Sequence, residues 1–218
     1  MAEAPQDNHE DKFSIPAYPE NPVSKPAERL SDTELQRFKA KLSTKNKDEF
    51  EINSPNAGRV AFKWHENQET VHVHSGAFEF GQEMNENDTL VHCYLNSYSS
   101  SHRSSKNDNT SFNLYERSGR ICLHISFRRH TQRVIFNEMI NGHWGDERYI
   151  DFPDDIKDER SVDLQIWYDG GSSSTVVFNT DGWQVPFGGP ADSLTYRANN
   201  EDDAMFGDSL LAQFSWRS

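Results

Sequence analysis

From about residue 50 to the C-terminus, short runs rich in Val, Ile, Phe, Tyr and Trp are separated by clusters of Gly, Asn, Asp and Ser. Such punctuation is the signature of strands joined by turns. The runs predict strands over 59–64, 69–78, 89–96, 111–116, 121–128, 132–137, 162–168, 175–179, 183–187, 193–198 and 210–216. Within them the faces alternate: Asp163-Leu164-Gln165-Ile166-Trp167 puts Leu164 and Ile166 apart from Asp163 and Gln165, as in an antiparallel sheet with one buried side. Helical periodicity is absent after residue 50, so the expected fold is all-β, a sandwich of two antiparallel sheets. Residues 97–110 read as a long polar loop, Gly170 to Ser174 as a hairpin tip, and Asp181-Gly182 as a hairpin turn.

The beginning of the chain is different. Residues 1 to about 28 are rich in Pro, Glu, Asp, Asn and Lys, and with so little apolar surface they are expected to stay flexible. At Leu30-Ser31-Asp32-Thr33-Glu34-Leu35 a capping box, Ser31 with Glu34, coincides with an apolar pair, Leu30 and Leu35. A short helix is therefore expected near 31–44, with Leu35, Phe38 and Leu42 on one face. The division is then a flexible extension with a short helix over 1–48 and a domain over 50–218.

One stretch departs from a plain strand pattern. Residues 121–128 put Leu123, Ile125 and Phe127 on one face and the polar His124, Ser126 and Arg128 on the other. A second run, 132–137, forms a hairpin partner after a connection at Arg129 to Thr131. It brings up Asn137, and beyond an Asn141-Gly142 turn follow Trp144, Asp146, Glu147 and Arg148. Polar hydrogen-bonding groups and one tryptophan thus converge on one patch.

Charge narrows the partners. The 218 residues carry 35 Asp and Glu against 22 Lys and Arg, a formal charge of −13, which argues against nucleic acid or an anionic membrane as partner. No apolar run is long enough to span a bilayer, and the N-terminus lacks a signal-peptide core, so a cytoplasmic location is expected. Without a secretory route, Cys93 and Cys122 are expected as free thiols. His72 and His74 share a strand face and His92 follows, a spacing common by chance, so no metal site and no cofactor are expected.

A sugar presents hydroxyl edges and apolar C–H faces, so its site needs a flat aromatic for stacking and charged or amide groups for neighbouring hydroxyls. Trp144 can supply the first; His124, Arg128, Asn137 and Glu147 can supply the second, charged groups making the stronger bonds. An axial hydroxyl reached by His, Asn and Arg together distinguishes galactose from glucose. Each residue singly is commoner as core or solvated surface. Their ordered occurrence between His124 and Glu147 is what points to a site.

His124-Ile-Ser126-Phe-Arg128, Val134-Ile-Phe136-Asn137 and Trp144-Gly145-Asp146-Glu147 resemble the galectin signature H-x-N-x-R, V-x-N, W-G-x-E-x-R. Phe112-Asn-Leu-Tyr before it and Val162-Asp-Leu-Gln-Ile-Trp-Tyr after it fit the same pattern, and the serine of H-I-S-x-R is closest to fungal galectins. The resemblance covers roughly residues 58–217. It implies a jelly-roll, concanavalin-like sandwich that binds β-galactosides such as lactose on glycoproteins or glycolipids, without metal or catalysis. It also implies His124, Ser126, Arg128, Asn137, Trp144 and Glu147 as contacts, with Arg148 included for the missing final arginine, a homo-oligomer, and export without a signal peptide. Two positions depart from the signature. Ser126 stands where most animal galectins have Asn, and Tyr149 stands at the final arginine, with Arg148 one place early. A one-residue offset reverses the strand face, so Arg148 substitutes only where a bulge re-aims it.

Two rival readings remain open. A glycosidase needs a pair of carboxylates across the bond, whereas Asp146 and Glu147 are adjacent and point apart on an extended chain. A galectin-fold module that binds a protein, with altered glycan specificity or none, is motivated by Tyr149.

Overall fold

The computed structural model describes residues 22–36, 50–53, 60–63, 71–72, 78–86, 89–95, 109–158, 160–198 and 209–217. The expectations for 1–21, for the helix beyond residue 36 and for most of the 97–110 loop lie outside these residues. In chain order the strands are β1 (Ser24–Pro26), β2 (Glu28–Arg29), β3 (Phe50–Asn53), β4 (Val60–Lys63), β5 (Val71–His72), β6 (Phe78–Glu79), β7 (Thr89–Leu95), β8 (Asn109–Glu116), β9 (Ile121–Arg128), β10 (Arg133–Ile140), β11 (His143–Trp144), β12 (Glu147–Asp151), β13 (Val162–Gly170), β14 (Ser173–Phe178), β15 (Asp181–Val185), β16 (Ala191–Ala198) and β17 (Ser209–Arg217).

They form two sheets, β1-β12-β10-β9-β8-β16-β5 with β11 and β6 attached, and β2-β15-β14-β13-β7-β17-β3 with β4 attached. Among the described residues, all pairings are antiparallel except β1 with β12. One apolar core is shared by the facing sides, joining Phe112, Phe127 and Val134 of the first sheet to Ile166, Phe178 and Phe214 of the second. Phe127 meets Phe178 edge to face at 6.0 Å across it, and Phe80 stacks on Phe214 at 4.4 Å. The β-sandwich expected from the alternation is therefore the fold.

Turn chemistry explains the hairpins. Asn141 and Gly142 adopt φ of +53° and +77° between β10 and β11, the mirror-image turn that suits strand twist and that Asn-Gly tolerates. The reversal before β15 differs from expectation. Asn179, with φ +50°, takes the left-handed position, and Asp181-Gly182 lies inside β15. Asn179 also accepts the Asp163 amide through its side chain at 2.8 Å, a local bond that stabilises such a turn.

The N-terminal segment corrects another expectation. Flexibility had been expected to about residue 28, but Ser24–Pro26 lines up with Glu147–Tyr149, and Glu28–Arg29 pairs with Gln184 and Trp183. Backbone hydrogen bonds, rather than side-chain burial, hold this strap; composition alone does not show them. The capping box forms as read, with Ser31 Oγ 2.6 Å from Glu34 Oε2 and accepting the Glu34 amide at 3.2 Å. Residues 32–36 are helical, and Leu35 is buried.

Candidate functional site

The outer face of the first sheet, turned away from the core, carries the polar patch. Register places Asn113 opposite His124 and His124 opposite Asn137; beside them run Ser111, Ser126, Ile135 and Tyr149, and then Arg128, Arg133 and Asp151. Side chains on one face of neighbouring strands sit within contact distance. The hairpin connection expected at Arg129 to Thr131 is a 3-10 turn.

One irregularity shapes this face. Asn137 and Met139 of β10 oppose His124 and Ile121, and Leu114 and Tyr115 of β8 oppose Leu123 and Ile121. β9 therefore carries one extra residue, a bulge at Cys122-Leu123 with both side chains in the core. The bulge turns Ile121 outward, where it packs with Tyr115 and Met139 as a separate small cluster beneath Trp144. Trp144 is half-buried, and its ring lies 4.8 Å from the His124 ring.

The polar groups hold one another. Arg128 Nη2 donates to Glu147 Oε1 at 2.6 Å, with the Glu147 side chain 2% exposed and Arg128 14%. His124 Nδ1 is 2.6 Å from Asn113 Oδ1, and Asn113 Nδ2 donates to Thr195 Oγ1 at 3.4 Å. Asn137 accepts the Glu138 amide at 2.8 Å and donates to the Gly145 carbonyl at 3.1 Å. These bonds fix the rotamers before any ligand arrives. Ser126 Oγ is buried and has no hydrogen-bond partner among the described residues. Just outside, Arg120 bridges Glu116 and Glu138. Burial opposes its charge, but the Glu138 hydrogen bond and the two carboxylates outweigh burial and raise its pKa above the ordinary value.

His124, Ser126, Arg128, Asn137 and Glu147 are thus brought to one face, with Trp144 at its end. Arg148 is not. It pairs with Phe136 on the core-facing side of β12, and its Nη1 donates to the Glu147 carbonyl at 3.1 Å. Between β10 and β12 the register runs unbroken from Arg133–Asp151 to Phe136–Arg148, so no bulge re-aims it and its inclusion in the site is corrected. Tyr149 takes the outer position, with the Arg133 guanidinium 4.0 Å above its ring. Asn113 was missed as a site residue; its signal was one amide between Phe112 and Leu114, facing the same side as His124. Of the histidines considered for metal, His72 lies in the first sheet and His92 in the second, and His74 lies outside the described residues.

Residues 91–181 match the family model described as galactoside-binding lectin, a span that includes most of β7 and every strand from β8 to β14. No curated protein matches the sequence. Among solved structures, the chain is similar to the Caenorhabditis elegans galectin LEC-6, at 15% identity with TM-score 0.48, covering 72% of this chain and 95% of that one. A tetrameric galectin from the ball sponge Cinachyrella gives 15%, 0.47, 65% and 98% for the same measures. A toad ovary galectin in complex with thio-digalactose gives 14%, 0.39, 74% and 96%.

Proposed function

We propose that this chain is a galectin-type lectin that binds β-galactosides and performs no catalysis. The observation that carries the reading is the Arg128–Glu147 pair on the same sheet face as Ser126 and the His124–Asn137–Trp144 group. A galactose ring stacks its apolar face on Trp144, and its hydroxyls meet His124, Asn137 and the Arg128–Glu147 pair. Charged partners strengthen those bonds, and because they are already oriented, little ordering entropy remains to be lost. Ser126 offers a hydroxyl where an amide is commoner in the signature, in keeping with the fungal-like motif. The family match over 91–181 supports the same reading.

Titrating lactose while following tryptophan emission and heat tests this. Saturable binding is expected, abolished in Trp144→Ala; no response to lactose or to a panel of galactose-terminated glycans sinks the reading. A protein-binding module is the second reading, favoured by Tyr149 and by Arg148 facing the core. Glycans on glycoproteins or glycolipids are the natural partners under the first reading, with cytoplasmic synthesis, export without a signal peptide and self-association as parts of the same proposal.

A further inference from the structure

The outer face does not end at Glu147. Along β12, away from Trp144, come Tyr149 and then Asp151, which lies level with Arg133 and Arg128. The Arg133 guanidinium stacks 4.0 Å above the Tyr149 ring, and its side chain is 41% exposed. Register fixes the distance scale: Tyr149 lies opposite Ile135, two residues along β10 from Asn137, or about 7 Å at strand rise. That is roughly one sugar unit further along the face. Arg133 is two residues further still and leans back over the tyrosine.

Stacking restrains the guanidinium plane and leaves its N–H edge able to meet a planar or tetrahedral anion with two bonds at once. Asp151 competes weakly, because its carboxylate is 78% exposed and lies 3.7 Å from Arg133 Nε, away from the terminal nitrogens. The neighbourhood is unusual for so acidic a chain, since three of the six residues 128–133 are arginine and a fourth is His130. Arg128 is directed to Glu147 and Arg129 is buried. Arg133 therefore presents the outermost cation of this turn on the site face.

We infer that the Arg133–Tyr149 stack is a second subsite, which selects oligosaccharides bearing an acidic group on the sugar next to the one held by Trp144. This rests on the lectin reading and adds a preference that the family match does not assign. The acid could be a sulfate ester or a carboxylate, and the two share the chemistry that the guanidinium recognises.

The test compares the affinity of the full chain for three probes by calorimetry: lactose, lactobionic acid, whose second unit is a carboxylate-bearing gluconate, and lactose sulfated at the glucose 6-position. At low salt, at least one acidic probe is expected to bind about tenfold more tightly than lactose, with the preference shrinking as salt rises. Whichever probe shows it identifies carboxylate or sulfate as the group read. In Arg133→Gln the acid-to-neutral ratio is expected to fall to about one, and Arg133→Lys, which keeps charge but loses the planar fork, is expected to fall between. Lactose binding with no preference for either acid, or a preference that survives in Arg133→Gln, overturns this inference alone. Failure of all three probes to bind overturns the lectin reading and this one with it.

Discussion

His124 Nδ1 lies 2.6 Å from Asn113 Oδ1, with Asn113 Nδ2 turned toward Thr195 Oγ1. The amide atom against the imidazole is thus the oxygen, which only accepts. Nδ1 must then carry the proton. In the neutral ring Nε2 is left as the acceptor, fit to receive a sugar hydroxyl. Asn113→Ala removes the orienting oxygen. Lactose affinity is expected to drop about tenfold, and nitrogen chemical shifts of His124 should change from the Nδ1-protonated pattern to a tautomer mixture. Unchanged shifts would refute the assignment.

The Arg128–Glu147 pair has a structural and a functional role that two variants separate. Glu147→Ala removes the carboxylate facing a guanidinium that is 14% exposed and is expected to cost about 3 kcal/mol, the lower end for breaking a buried pair. Replacing both residues, Arg128→Met with Glu147→Leu, removes the charges together and should restore most of that stability while abolishing lactose binding. Denaturant melts and calorimetry on the same two proteins check both halves.

Gly145 is a test of the Asn137 position. A Cβ there would come 3.2 Å from Asn137 Oδ1 and 3.5 Å from Glu138 Cγ, close enough that the amide must shift by a few tenths of an ångström. Gly145→Ala is expected to weaken lactose several-fold with less than about 1 kcal/mol lost in stability, since the residue is on the surface. Equal affinity would show that Asn137 does not contact the sugar.

Cys93 and Cys122 are both buried free thiols, and burial pushes each pKa well above the usual thiol range. The thiolate is the reactive form. Neither should be alkylated by iodoacetamide at pH 8 in the folded protein, and both should react at once in denaturant, as mass spectrometry would report.

Leu35 anchors the strap against β15, where the position of a Gly182 Cβ would be 2.9 Å from Leu35 Cδ1. Leu35→Ala is expected to cost about 2 kcal/mol, the low end for a buried leucine, lowering Tm by roughly 4–8 °C for a chain of this length. A thermal melt within a degree of the native protein would mean that the strap is not cooperative with the sandwich.

Much of the site was legible because β9 and β10 obey the two-residue period: Phe127 and Val134 point in, Arg128 and Asn137 point out. What was hidden depends on pairing. β12 reads Glu-Arg-Tyr-Ile-Asp, too polar to announce a strand, yet its register decides that Arg148 faces Phe136. The Cys122-Leu123 bulge leaves no mark in the sequence, since Ile121 looks like one more core residue until its neighbours on β8 and β10 show it turned outward beneath Trp144. Strap residues 24–29 are charged or proline-rich and contribute through backbone bonds, which composition does not report. Tyr149 stands out in the sequence as a departure from the signature, but its stack with Arg133 joins different strands and could not be seen from spacing.

The strap also bears on how copies of the chain can meet. At one end of the sandwich the first sheet stops at β1 and the second at β2, and those strands follow each other in sequence. The two rims are thus closed by a single short ribbon, Ser24-Lys25-Pro26 and Glu28-Arg29, in which charges crowd the edge and Pro26 offers no amide to a newcomer. Strand-to-strand growth is blocked there for both layers at once.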